Sequence, residues 1–163
     1  MIEESSPKII MYTDGSSLGN PGPGGYGTLL IHGKYKKEIS GGFRFTTNNR
    51  MELLAVIVGL EALKNKNSNV TIYTDSKYVV DSVEKGWLLN WIRIRFKNKK
   101  NSDLWMRFYE IYQIHQVKFI WIKGHAAIPG NERCDQLAVA AANGANLSID
   151  EGFSREQSSL KES

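Results

Sequence analysis

Four carboxylates sit in motifs whose residue types could carry chemistry: Asp14 in YTDGSSLGNPGPGGYG, Glu52 in TTNNRMELLA, Asp75 in YTDS and Asp135 in KGHAAIPGNERCDQLA. Acids gathered at one crevice repel each other unless they are protonated or neutralised by cations. Mg²⁺ is the hard cation that takes carboxylate oxygens while keeping waters and phosphate ligands. Two such ions roughly 3.5–4 Å apart clamp the attacking and leaving oxygens of a phosphoryl displacement. Each acid also has a local structural role open to it. Asp14 and Asp75 could form turns at strand ends, Asn49-x-x-Glu52 reads as a capping box, and Asp135 could complement a helix dipole.

The six glycines and two prolines around Asp14 include Gly22, Gly24 and Gly27, which spell the G-x-G-x-x-G of a dinucleotide-binding turn. That pattern has meaning only where the glycines open a helix whose first amides receive a pyrophosphate. Here Thr28 to Lys34 continues as a short β-like run, and no ribose-binding acid follows at the required distance. A tight loop between two strands accounts for the glycines equally well.

The elements that must position the acids follow from periodicity. Strands are expected over Lys8 to Asp14, Gly25 to Ile31 and Lys36 to Phe45, the last two joined by the His32-Gly33-Lys34 turn. Asn48-Asn49 caps a long helix, with apolar residues at helical spacing out to about Lys64. A strand over Val70 to Thr74, helices over Ser76 to Lys85 and Ser102 to Gln113, a strand over Val117 to Ile122 and a helix over Asn131 to Asn143 complete the pattern. Three strands followed by alternating helix and strand indicate an α/β sheet of mixed direction. If the first, fourth and fifth strands are parallel, Asp14 and Asp75 emerge together at their carboxyl ends, where open α/β sheets bind ligands. Glu52 and Asp135 are then expected in the first turns of their helices.

At 163 residues the chain is long enough for one well-buried core, read as a single domain over 1–147 with a polar, aperiodic, disordered tail over 148–163. The single Cys134 can make no internal disulfide, and no apolar run reaches membrane-spanning length, which points to a cytoplasmic setting. The net charge is +4, with −2 in the tail and therefore +6 in the body, which suits a polyanionic partner.

The four motifs, in this order and spacing across about residues 8 to 143, resemble those of the bacterial type 1 ribonuclease H family. The resemblance implies a five-stranded mixed sheet, three strands antiparallel and two parallel, with helices on both faces. It implies a monomer that cuts the RNA strand of RNA–DNA hybrids with two Mg²⁺ ions, or Mn²⁺ in their place, leaving 5′-phosphate and 3′-hydroxyl ends. Asp14 would bridge both ions, Glu52 and Asp75 would complete one site and Asp135 the other. His125 would assist proton transfer or product departure. Asn20, Asn48 and Asn49 would contact the minor groove, and Thr47 and Asn101 a phosphate of the DNA strand. The glycines after Asp14 would let the backbone approach the sugar-phosphate chain, where the RNA 2′-hydroxyls can be read.

The stretch from Lys85 to Ser102 carries Arg93, Arg95, Lys97, Lys99 and Lys100 without an acid, interleaved with Trp87 and Trp91. It resembles the family's basic handle, which grips the DNA strand, but is shorter than in long-handled members. A solvated charge run beside buried tryptophans is the competing reading. A DNA-cutting nuclease of the same fold and a non-catalytic hybrid-binding module are the rival functions. The asparagine-rich loops and the histidine motif argue against the first, and the presence of all four acids argues against the second.

Overall fold

The computed structural model describes residues 8–124 and 126–162. Among the described residues the chain forms β1 (Lys8–Ser17), β2 (Gly22–His32), β3 (Tyr35–Thr46), α1 (Asn48–Glu61), β4 (Asn69–Thr74), α2 (Lys77–Glu84), α3 (Trp87–Arg93), α4 (Ser102–Tyr112), β5 (Gln116–Trp121), α5 (Pro129–Ala142) and α6 (Glu151–Glu162). The sheet order is β3-β2-β1-β4-β5, antiparallel across β3, β2 and β1 and parallel across β1, β4 and β5. This is the expected mixed sheet. No helix among the described residues is long and apolar enough to cross a membrane.

Side chains alternate between the two faces of a strand, and β2 shows what each face meets. Thr28 donates to the Ala55 carbonyl of α1 at 2.6 Å, and Tyr26 packs on the core on the same side. Gly25 and Gly27 face α5, where a Cβ would overlap the carbonyl oxygens of Ala138 and Cys134. Missing side chains let α5 lie directly on the strand. The expectation that this glycine run opens the backbone to a sugar-phosphate chain is therefore corrected for Gly24, Gly25 and Gly27, which sit inside β2 and serve packing. Gly15 works the same way in β1, because a Cβ there would overlap the backbone of Met51 and Glu52.

Helix α1 is buried almost without interruption from Arg50 to Leu60, between the sheet and α4. Met11, Leu53, Ile57, Leu60, Val70, Ile72, Trp105 and Phe108 form the centre of the core on that side. The N-cap is Thr47, whose hydroxyl accepts from Arg50 N at 3.3 Å. The cap expected at Asn48-Asn49 thus lies one residue earlier, and Glu52 falls beyond the first turn, out of capping-box position. Similarly α5 begins at Pro129, so Asp135 lies in its second turn and Glu132 is the first-turn acid.

Two segments differ from expectation more widely. The Trp-rich basic stretch contains a helix, α3, launched by Gly86 at φ 76° and followed by positive φ at Arg95, Phe96, Asn98 and Asn101. The tail expected to be disordered forms α6. Its anchor is Asp150, which accepts from Thr46 Oγ1 at 2.7 Å, Arg50 Nε at 2.8 Å, Arg50 Nη2 at 2.9 Å and Phe153 N at 3.2 Å. Ser148 pairs with β3 through Arg44 N and the Gly42 carbonyl, and the buried Phe153 ring lies 5.6 Å from that of Phe45. A buried acid and a ring anchor the start of an otherwise polar helix to the domain.

Candidate active site

Asp14 is not the last residue of its strand, as expected, because pairing of β1 with β2 continues to Ser17 opposite Gly24. The parallel ladder with β4 nevertheless ends at Tyr12 opposite Tyr73, so Asp14 stands just past the carboxyl end of that ladder. Asp75 leaves β4 at the same edge. Trp121 Nε1 donates to its carbonyl at 3.1 Å, and Ser76 caps α2 immediately after it by accepting from Val79 N at 3.2 Å. Glu52 is brought in from above by α1, at the point where Gly15 lets helix and strand touch.

The result is a compact triad in which one carboxylate oxygen each of Asp14, Glu52 and Asp75 lies within 4.8 Å of the others. Asp14 is 5% and Glu52 4% exposed, while Asp75 is half-buried. Gly15 N donates to Asp14 Oδ1 at 3.0 Å and to Glu52 Oε1 at 3.1 Å, which fixes both groups. Glu52 Oε2 is buried without a hydrogen-bond partner. Burial pushes the Asp14 carboxyl up to about 7, with the nearby acids adding to the effect against a lowering contact with Glu52. Burial likewise raises Glu52 well above the carboxylate range, reinforced by the charges of Asp14 and Asp75. An all-oxygen donor set with an orphaned buried carboxylate oxygen fits a hard divalent cation.

Asp135 is exposed and stands on the rim of the same crevice, about 390 Å³ in volume, beside Asn48, Asn49, Lys77 and Tyr78. Asn20 is tied to this wall, since its Oδ1 accepts from Asn48 N at 3.0 Å. Asn49 also borders a neighbouring cavity of about 230 Å³, which gathers Asn20, Thr47, Lys100 and Asn101 against Phe153 and Glu156 of α6. Six of the twelve expected substrate contacts, those at 20, 47, 48, 49, 100 and 101, thus line two adjoining hollows.

Trp87, Trp91, Arg93, Arg95, Lys97 and Lys99 line neither of them. Trp91 turns inward, with its ring 5.9 Å from Trp105, whereas Trp87 is 42% exposed. His125 lies outside the described residues. Lys77, outside the expected contact set, has its ammonium held 4.7 Å from the Trp121 ring centroid at the crevice edge. Its position two residues after Asp75, at the start of a helix, was the available signal. A larger, mostly apolar hollow of about 510 Å³, lined by Ile9, Leu30, Ala62 and Leu63, lies at the opposite end of β1 and gathers no acids.

Residues 6–143 match the family model described as RNase H. The chain is 58% identical over 148 residues to the ribonuclease H of Desulforamulus reducens, covering 88% of this chain and 92% of that protein. It is 50% identical over 157 residues to that of Rippkaea orientalis, covering 93% and 96%. Among solved structures, LC9-RNase H1, described as a type 1 RNase H with the type 2 active-site motif, superposes with a TM-score of 0.79 at 31% identity, covering 95% of this chain and 82% of that one. LC11-RNase H1 in complex with an RNA/DNA hybrid superposes with a TM-score of 0.66 at 26% identity, covering 83% and 96%.

Proposed function

Because the chain belongs to the ribonuclease H family of metal-dependent endoribonucleases, we propose that it hydrolyses the RNA strand of RNA–DNA hybrids at the Asp14–Glu52–Asp75 crevice. The observation that carries this reading is the buried carboxylate triad with its orphaned Glu52 oxygen at the end of the parallel ladder. The hybrid bound by LC11-RNase H1 supports the choice of substrate.

Asp14, Glu52, Asp75 and the more exposed Asp135 would hold divalent cations, Mg²⁺ or Mn²⁺. When bound, two such ions supply activation of the attacking water and stabilisation of the departing 3′ oxygen, which leaves 5′-phosphate and 3′-hydroxyl ends. Asn20, Asn48 and Asn49, on the wall next to the acids, read the RNA 2′-hydroxyls in the minor groove. The Thr47 hydroxyl and the Asn101 amide hold a DNA-strand phosphate. Trp87 and the exposed charges of Arg93, Arg95, Lys97 and Lys99 grip the DNA strand farther out, Lys100 grips it beside Thr47 and Asn101, and Trp91 fixes the base of that handle to the core. His125 moves a proton during turnover. The catalytic unit is residues 1–147, acting as a monomer. A nucleic-acid substrate and a lone buried thiol support a cytoplasmic setting.

The test is cleavage of a hybrid end-labelled on either strand, alongside duplex DNA and duplex RNA. Cutting of the RNA strand of the hybrid alone, and only with Mg²⁺ or Mn²⁺ present, is the expected result. Cutting of duplex DNA, or of the hybrid in chelator, contradicts the proposal.

A further inference from the structure

Asn101, at the start of α4, has its polar groups engaged from three directions. Its Oδ1 accepts from Arg50 Nη1 at 3.3 Å, and its Nδ2 donates to Tyr78 Oη at 3.0 Å. Its backbone N–H donates to Glu156 Oε2 at 2.8 Å. The third contact bears on the substrate. A backbone N–H at a helix start, beside a threonine hydroxyl and a lysine, is a donor set that suits a phosphate. Thr47 and Lys100 border the same cavity, and a carboxylate from α6 already occupies the amide.

We propose that Glu156 is a built-in competitor for the DNA-strand phosphate and sets the affinity of the enzyme for its substrate. The inference rests on the reading above that Thr47 and Asn101 hold that phosphate. A carboxylate and a phosphate oxygen cannot share one N–H, and their like charges repel at contact distance. Binding therefore requires the Glu156 side chain to swing away. Helix α6 keeps its anchors at Asp150 and Phe153 when the Glu156 side chain moves. A gate of this kind lowers affinity and speeds release of cut hybrid.

Two substitutions separate charge from contact. In Glu156→Gln the amide oxygen can still accept the Asn101 N–H without the charge, and Glu156→Ala removes both. Hybrid binding is measured for wild type and both variants, with a series of DNA strands each carrying one neutral methylphosphonate linkage. Both variants should bind the natural hybrid about two- to fivefold more tightly, as expected for loss of one partly exposed charge interaction. The penalty for neutralising one particular linkage should grow in both. Wild-type or weaker binding by the variants, with one linkage still sensitive, overturns the inference and leaves the phosphate reading standing. If no single neutral linkage weakens binding in any of the three proteins, the phosphate reading fails and the inference falls with it.

Discussion

Helix α1 meets two carboxylate clusters, one through the buried Arg50 and one through the buried Glu52, and the chain treats them in opposite ways. Arg50 and Glu52 are two positions apart and so face away from each other. On the Arg50 side, a guanidinium only 1% exposed meets Asp103 at 2.7 and 2.8 Å and Asp150 at 2.8 and 2.9 Å, both in fork geometry. Burial would raise Asp103, but the guanidinium outweighs it and holds that acid below its usual range. On the Glu52 side the same kind of burial lifts Asp14 and Glu52 upward, and one Glu52 oxygen has no partner. A buried acid is therefore not in itself a sign of function. The informative feature is whether the chain supplies the neutralising cation or leaves that to a ligand.

The contrast is broken most severely by removing charge on the Glu52 side. Asp14→Asn, Glu52→Gln or Asp75→Asn should nearly abolish hybrid cleavage at saturating Mg²⁺ while leaving the thermal unfolding midpoint unchanged or raised, since like-charge repulsion is relieved. Steady-state cleavage with a parallel melting curve checks both halves. Retained activity in any of the three would remove that residue from the metal-binding set.

Arg50→Met makes the complementary change. It leaves Asp103 and Asp150 without their cation, and breaking a buried pair from one side costs about 3–5 kcal/mol. Urea unfolding should show that loss, and hydrogen exchange should show α6 losing protection first, because Asp150 is its anchor. A loss below about 1 kcal/mol would place this network with exposed, weakly coupled pairs.

pH sharpens the comparison further. The folded-state value of Asp14, about 7, lies above its ordinary value of 3.8. Its protonated form thus favours the fold, with that contribution complete below about pH 4 and lost as pH rises to about 7. The melting temperature of Asp14→Asn should pull ahead of wild type across this window in metal-free buffer, by the equivalent of a few kcal/mol at most. Added Mg²⁺ should close the gap. A constant difference from pH 4 to 7.5 would mean that Asp14 is ionised throughout.

Charges that are merely exposed should give the smallest effect. Replacing Arg93, Arg95, Lys97, Lys99 and Lys100 together by Gln should raise KM and flatten its salt dependence by about two or three contacts, at about 0.9 per contact, with far less change in kcat. An unchanged salt slope would make this run a solvated face.

Much of this was legible because it is local. Among the described residues, the period-2 and period-3.6 patterns located every strand and four of the six helices, and the four motifs located the acids. The elements that eluded the sequence depend on distant partners. Ser148 to Glu162 is polar and weakly periodic, and its helix exists because Asp150 meets Arg50, one hundred residues earlier. Gly25 and Gly27 fall inside the expected strand, but nothing nearby signals that α5 will lie across them. Thr47 took the cap from two asparagines, one of which borders both hollows instead. Arg50 has no local signal of its buried role, because Asp103 and Asp150 come from 53 and 100 residues farther along the chain.

The central claim is that the Glu52 side is left without a protein cation because a divalent metal completes it. Calorimetric titration of Mg²⁺, and separately Mn²⁺, into wild type and Glu52→Gln near pH 6.5 tests this directly, in two buffers of different ionisation enthalpy. The account predicts saturable binding to wild type with net proton release, as the raised Asp14 and Glu52 carboxyls give up protons to the metal. It also predicts much weaker binding to the variant. Equal binding by the two proteins, or no binding to wild type at millimolar metal, would contradict it.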